Sequence, residues 1–463
     1  MLLNGIKVVE LGQNLAGPYG TQILADLGAE VIKVERLTGD DARSWGTMVT
    51  DDTTTMFQTL NRNKKSITLD LKSDDGMGRM MALLTDADIF LHNLRPGTPA
   101  KMGLGPEQLR AKFPGLIYCD VGAFGHIGPL KDQPGYEPLM QAYGGLVSVN
   151  GHPDGPEARI AVSLIDLGTG MWSAIGALAA LHHRNETGEG AVINTSLYET
   201  ALAWGNFHMA EYHATGEVPP RQASGHSAVV PYQAFEAADG PFMILAGNDR
   251  LFAKLAPALG KFEWATDERF KGNPGRVKHR EEILNAIQDI VAKEPRAVWV
   301  ERLRAAGVPS APIQTIPEVI ETPQTLGLDI LQPVKDTPMK LVGLPVSVNG
   351  KRPAMRMSPP SLGNANAELP NLKHEESRNL RSTTMSLIRV ERNGPVRTVI
   401  LNRPEKRNAL NEEMMVEVRE LFQAEPPADE RVTVIRGEGP SFCAGLELTT
   451  SGVEAEVAQL IET

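Results

Sequence analysis

Four places in the sequence carry residue types from which chemistry could be built. A β-branched run, Ile6 to Leu11, is followed by Gly12, Gln13, Asn14, Leu15, Ala16 and Gly17, and Glu35 closes the next such run. A glycine-rich turn after a first strand, with an acid ending the second, is how a dinucleotide's pyrophosphate and ribose are held, but the glycines here lack the spacing that admits a pyrophosphate. His126, in FGHIG, is a general base by type, yet its glycine neighbours make it a loop residue. Cys443 is a nucleophile by type, but no positioned base stands near it, and beside Ala444-Gly445 it reads as a small packed side chain. Asp166, in SLIDLGTGM, opens a long apolar-periodic segment, where an acid reads as a helix N-cap or first-turn residue.

The elements that must position these residues follow from periodicity. Ile23, Leu24 and Leu27 recur on one helical face and Gly28 closes that helix; Glu30–Glu35 (EVIKVE) is a second strand, so the start is β-α-β and its crossover requires parallel strands. Runs at Ser66–Leu71, Asp88–His92 and Leu116–Val121 alternate with helical segments, which predicts an α/β domain on a Rossmann-like parallel sheet. A long helix is expected over 163–184, a strand at Ala191–Thr195 and a helix at Leu197–Tyr212. After Pro219-Pro220, two short strands around the turn Asp239-Gly240 and amphipathic helices over 249–305 read as a smaller α+β domain. The charged, apolar-poor KHEESRNLRSTT is a linker. Beyond it, strands at Ser386–Glu391 and Val396–Leu401 flank Asn393-Gly394, a hairpin signal, and a helix at 411–423 and a strand at Val432–Arg436 follow. The expected division is 1–220 as the first part of the large domain, 221–330 as the small domain, 331–372 as a segment returning to the large domain, 373–384 as linker and 385–463 as a separate C-terminal segment.

Composition narrows the function. A chain of 463 residues with 41% hydrophobic and 22% charged residues has material for more than one core. A formal charge of -11 disfavours broad attraction to nucleic acid or anionic membrane. The two cysteines, Cys119 and Cys443, lie far apart and argue against a disulfide framework. The N-terminus does not read as a signal peptide, and the apolar helix around Ile175 to Leu181 is broken by Gly176 and ends in His182, His183 and Arg184, so it reads as core. A cytoplasmic protein with no nucleic-acid or membrane partner is expected.

Seven motifs in order, VVELGQNLAGPYGTQILADLGAEVIKVE, NRNKKSITLDLK, NLRPGTPAKMGLG, LIYCDVGAFGHIGPLKDQPGYE, SLIDLGTGMWSAIGALAALHHR, HSAVVPYQAFEAADG and RLRAAGVPSAPI, resemble the class III CoA-transferases, or CaiB/BaiF family, over residues 1–375. The resemblance implies that the carboxylate of Asp166 is the nucleophile, forming a mixed anhydride with an acyl-CoA and then an aspartyl-CoA thioester. It implies substrate-orienting roles for Tyr136, Gly168 and Gly225, and CoA contacts from Leu15, Arg36, Leu71, Lys72, Asn93, Leu94, Lys101 and Met102: cations for phosphates, leucine and methionine for adenine. It also implies an intertwined homodimer, acyl-CoA and carboxylic acid as substrates, no permanently bound cofactor and no metal. Related 2-methylacyl-CoA racemases carry a histidine where this chain has Tyr136, whose ordinary pKa is too high for a base, so racemisation is the alternative activity. A non-catalytic CoA-ester-binding or assembly protein is a further alternative, because RQASGH at 221–226 replaces a run of glycines found in some transferases.

From Met385, VRTVILNRPEKRNALN and VIRGEGPSFCAGLEL resemble the first part of the crotonase, or enoyl-CoA hydratase/isomerase, family. That resemblance implies phosphate contacts from Arg403, Lys406 and Arg407 and an oxyanion amide near Gly445 and Leu446. With no counterpart of the family's later motifs before Thr463, these residues are expected to be vestigial and the segment not to work as a hydratase or isomerase.

Overall fold

The computed structural model describes residues 1–368, 387–393, 396–406, 408–423, 432–439, 442 and 443. These fall into two compact units, one containing Met1–Arg184 and continuing from Glu189, the other containing the strands beyond residue 387.

The first unit begins with β1 (Lys7–Leu11), α1 (Ala16–Leu27), β2 (Glu30–Glu35), α2 (Thr55–Leu60), β3 (Lys64–Thr68), α3 (Asp74–Thr85), β4 (Ile89–His92), α4 (Thr98–Lys101), α5 (Pro106–Lys112) and β5 (Ile117–Gly122). It continues with α6 (Glu137–Tyr143), α7 (Leu146–Val149), α8 (Leu164–Thr187), β6 (Val192–Ser196) and α9 (Leu197–Thr215). The six strands form one parallel sheet in the order β3-β2-β1-β4-β5-β6. Both faces are covered: in β5, Ile117, Cys119 and Val121 join a core with α1 and α8, whereas Tyr118 joins one with Leu84, Leu104 and Leu109. This is the period-2 split of a doubly covered sheet. Gly28, at φ 118°, ends α1 and returns its N–H to Leu24 and Ala25 carbonyls, which sets the tight entry into β2.

One strand begins earlier than its apolar pattern suggests. Hydropathy places it at Ser66–Leu71, but pairing starts at Lys64, whose side chain is fully buried against Glu10. The outer edge of β3 is met by the returning chain: Ser66 and Thr68 amides donate to the Asn364 and Asn366 side-chain oxygens at 2.9 Å. That edge is thereby closed to other strands. Helix α8 is long and apolar enough to cross a bilayer, yet half of its most apolar stretch is buried inside this unit.

Residues 230–308 build a core of their own around Phe242, Phe252, Leu255, Ile283 and Ile287. Here β7 (Tyr232–Ala237), β8 (Gly240–Leu245) and β9 (Ser310–Pro312) pair antiparallel with β8 central. Helices α10 (Asp249–Ala258), α11 (Asn273–Lys278), α12 (Arg280–Val291) and α13 (Arg296–Ala305) accompany them. Gly240, at φ 142°, makes the β7–β8 turn at the predicted dipeptide.

In the second unit, β10 (Ile388–Asn393) pairs antiparallel with β11 (Val396–Leu401), which pairs parallel with β12 (Val432–Gly437). Ile388, Val399 and Leu401 pack on Met414 of the helix Glu412–Gln423. Gly394 of the expected hairpin turn, the expected linker, Arg407, Gly445 and Leu446 lie outside the described residues.

Candidate active site

Strand order reverses between β1 and β4, and in open parallel sheets the crevice beyond the carboxyl ends at such a reversal is where ligands sit. Two loops are stitched together there. The Gln13 amide donates to Asn93 Oδ1 at 2.8 Å, and Asn93 Nδ2 donates to the Gln13 carbonyl at 2.7 Å. Leu15 is the N-cap residue of α1 and Leu94 follows Asn93, so three of the eight expected CoA positions meet at the reversal. Arg36 follows β2, Leu71 and Lys72 follow β3, and Lys101 and Met102 end α4, all beyond the carboxyl ends of the strands. Leu71, Leu94 and Met102 are half-buried against the core, Lys72 and Lys101 are exposed, and Arg36 pairs with Asp41 while its Nε donates to the Gly39 carbonyl.

The turn between β1 and α1 rests on buried charge. Lys33 Nζ donates to Glu10 Oε1 and to the Gly12 carbonyl, each at 2.8 Å, and stands 2.9 Å from Asp40; Lys64 Nζ donates to Glu10 Oε2 at 2.8 Å. Asp40 Oδ1 accepts from the Asn14 amide at 3.0 Å. Burial alone would raise the Glu10 carboxyl, but the two lysines hold it below the ordinary range. Sequence reading missed this network because Lys33 and Lys64 look like solvent-facing positions of strands.

Asp166 stands in the first turn of α8, 9% exposed. Its side chain has no hydrogen-bond or ion-pair partner among the described residues. Burial pushes its carboxyl up to about 7, and the nearby charge of Glu137 adds to the rise. Glu137 is itself 3% exposed; Gln141 Nε2 donates to its Oε1 at 2.6 Å, and its Oε2 has no hydrogen-bond partner. On the same face of α8 as Asp166, Gly170 permits the approach of α1: a Cβ there would lie 2.6 Å from the Ala16 carbonyl oxygen and 2.9 Å from Gly20 N. This contact ties the start of α8 to the first turn of α1. The result is a buried carboxylate with raised basicity, unpaired among the described residues, at the edge where the expected CoA positions gather. Such a group can act as a nucleophile or as a base.

The remaining predicted residues are distributed differently. Tyr136 is the N-cap residue of α6 and 62% exposed. Gly168 faces α9, where a Cβ would lie 2.8 Å from the Trp204 ring and 2.9 Å from Thr200, so helix packing alone demands a glycine there. Gly225 belongs to a loop held against residues 151–153 by the Ala223 amide on the Gly151 carbonyl and Arg221 on the Pro153 carbonyl. His126 is an exposed loop residue bordering a cavity of about 220 Å³ shared with Leu94, Asp120, Lys131, Asn194 and Thr195. Burial pushes the Asp120 carboxyl up to about 6 against the pull of His126. In the second unit, Arg403 Nη1 donates to the Ala409 carbonyl, and Lys406 ends a short 3-10 turn. No group of three or more histidine, cysteine or acidic residues suited to a metal occurs among the described residues.

The model of the CoA-transferase family III matches residues 3–366. The chain belongs to this family. As a family III CoA-transferase it is 36% identical over 369 residues to an acetyl-CoA:oxalate CoA-transferase of Acetobacter aceti, covering 79% of this chain and 94% of that one. It is 34% identical to the human succinyl-CoA:glutarate CoA-transferase over 325 residues, 70% of this chain and 74% of that one. The crystal structure of a CaiB/BaiF family protein from Brucella suis superposes with a TM-score of 0.72 at 34% identity, covering 79% of this chain and 97% of that one. Residues 396–457 match the enoyl-CoA hydratase/isomerase family model, so the transferase carries a crotonase-like segment behind its own family region. The transferase acts on CoA esters. Glu137 and its partner Gln141 are the site residues that sequence reading passed over: Glu137 follows Tyr136 in PGYE, and its type beside a candidate site residue was the available signal.

Proposed function

We propose that this transferase moves CoA between an acyl-CoA and a free carboxylic acid through covalent intermediates on Asp166. The observation that carries the reading is the buried carboxylate of Asp166, without a hydrogen-bond or ion-pair partner among the described residues, in a chain of this family. One carboxylate oxygen attacks the thioester carbonyl of the donor, giving a mixed anhydride and CoA thiolate. The thiolate attacks the aspartyl carbonyl of that anhydride, giving the aspartyl-CoA thioester and releasing the donor acid. The acceptor carboxylate attacks this thioester and expels the thiolate, which then attacks the acceptor's acyl carbonyl and leaves Asp166 as a carboxylate. Every step conserves charge and needs no external proton, oxidant or metal. A raised pKa makes the carboxylate a stronger nucleophile and confines its ionised form to pH values above about 7. A water-poor position protects the anhydride and thioester from hydrolysis. The named acids of relatives, oxalate and glutarate among them, are short dicarboxylic acids, and we take the same class as the acceptor here.

Incubation with an acyl-CoA, trapping with hydroxylamine and peptide mass spectrometry tests this reading. The label is expected on Asp166, and exchange is expected to vanish in Asp166→Ala; undiminished exchange in that variant overturns the assignment.

We further propose a homodimer. Met171, Trp172 and Ile175 of α8 and Trp204 and Phe207 of α9 are each 40 to 57% exposed, an apolar surface that a second copy would cover. Sedimentation showing a stable monomer at micromolar concentration would refute it.

A further inference from the structure

In the proposed sequence the acceptor acid arrives when Asp166 is a neutral thioester, and the buried carboxylate of Glu137 remains near it. The far carboxylate of a dicarboxylic acceptor is a negative charge that a monocarboxylic acid lacks, and in this acidic neighbourhood it needs a cation of its own. Arg159 is the cation next to Glu137. Its Nη1 is 4.0 Å from Glu137 Oε2, within reach of an ion pair but beyond a hydrogen bond. The side chain is 52% exposed and makes no hydrogen bond among the described residues, so its donors remain available. Its root is nevertheless fixed: the Ile160 amide donates to Gln141 Oε1 at 2.8 Å, and Gln141 Nε2 donates to the Ile160 carbonyl at 3.0 Å as well as to Glu137.

The same loop is braced from its other side. Arg221 Nη2 donates to the Pro153 carbonyl at 3.1 Å, and the Ala223 amide to the Gly151 carbonyl at 2.9 Å. Arg221 Nη1 also stands 3.9 Å from Glu157 Oε1, two residues before Arg159. The loop that presents the free guanidinium is therefore held between α6 and the 221–226 loop.

We propose that Arg159 binds the second carboxylate of a short dicarboxylic acceptor while the first reacts at Asp166. The inference rests on the covalent reading of Asp166. The reacting carboxylate must touch Asp166, whereas Arg159 is placed by its contact with Glu137 Oε2. What it can meet is the far end of the acid. The planar fork of arginine takes a carboxylate through two parallel hydrogen bonds, and a monocarboxylic acid offers nothing at that end.

The test measures kcat and KM for glutarate and succinate against butyrate and acetate in the wild type, Arg159→Gln and Arg159→Lys. Arg159→Gln is expected to raise KM for the dicarboxylic acids about tenfold or more, the loss of one charge-assisted pair, while leaving the monocarboxylic acids within about twofold. Arg159→Lys should restore part of the difference. Equal changes for both classes would mean that Arg159 only supports Glu137, and would overturn the inference. Hydroxylamine trapping with acyl-CoA alone needs no acceptor and separates the two readings: a label on Asp166 with unaltered selectivity in Arg159→Gln sinks this inference and spares the mechanism. Should Asp166 never be labelled, calorimetry of glutarate binding to the CoA-ester complex decides, with Arg159-dependent binding sustaining the inference and Arg159-independent binding or none refuting it.

Discussion

The two principal sheets of the first unit bury charge to different ends. In the parallel sheet, Glu10, Lys33, Lys64 and Asp40, each under 5% exposed, link three strands and end on the Gly12 carbonyl and the Asn14 amide, which belong to the turn that carries Leu15. In the antiparallel sheet region, Arg276 is fully buried over the Phe252 ring. It gives its donors to the Val230, Phe270 and Gly247 carbonyls and to Asp249. Those partners close a core. The same chemistry thus fixes the turn at the strand-order reversal in one region and only holds a fold together in the other, and the distinction lies in where each network ends.

The largest expected effect sharpens this contrast at its centre. Asp166→Asn should lower exchange by about four orders of magnitude or more, as losing a covalent nucleophile does, while making the protein more stable. The sign follows from the raised carboxyl. Its contribution to stability is fully present below the ordinary carboxylate pKa and is lost as pH rises through about 7, so at pH 8 the wild type carries a buried charge that the amide lacks. The variant should gain on the order of 3 to 4 kcal/mol at pH 8 and nothing at pH 3.5, read from denaturant midpoints at the two pH values. In the wild type, kcat/KM should climb about tenfold per pH unit below 7 and then level.

Next come the networks themselves. Glu10→Gln leaves two buried lysines facing each other, and Arg276→Met leaves three carbonyls and Asp249 without their donor; each should cost about 3 to 5 kcal/mol. Only Glu10→Gln should also weaken binding of a CoA ester, measured calorimetrically under conditions where both variants are folded. Equal loss of affinity in the two variants would break the comparison.

A smaller effect is expected where α8 meets α1. Gly170→Ala places a methyl against the Ala16 carbonyl and Gly20, so the helices must part, at about 1 to 3 kcal/mol. Thermal unfolding should show the loss, and exchange should fall because the Asp166 turn moves with the helix.

Much of the fold was legible in the residues taken locally. Glu30–Glu35 forms a strand with the bounds its alternation suggests, α8 and α9 begin within a residue of their expected starts, and the Asp239-Gly240 turn falls where the dipeptide puts it. Ordered motifs were enough to place the chain in its family, and with it Asp166 as the residue to watch. Local pattern suffices there because strands, helices and turns are decided by neighbours within a few positions. It fails where energy is shared across the chain. Lys64 can begin β3 as a buried residue because Glu10, 54 residues earlier, accepts a hydrogen bond from its Nζ in the core. The basicity of Asp166 depends on burial beneath other elements and on Glu137, and Arg159 stands beside Glu137 with its neighbour Ile160 held by Gln141. Desolvation and Coulomb attraction depend on distance in space, which only the packing of α6, α8 and the sheet fixes; sequence separation carries no trace of it.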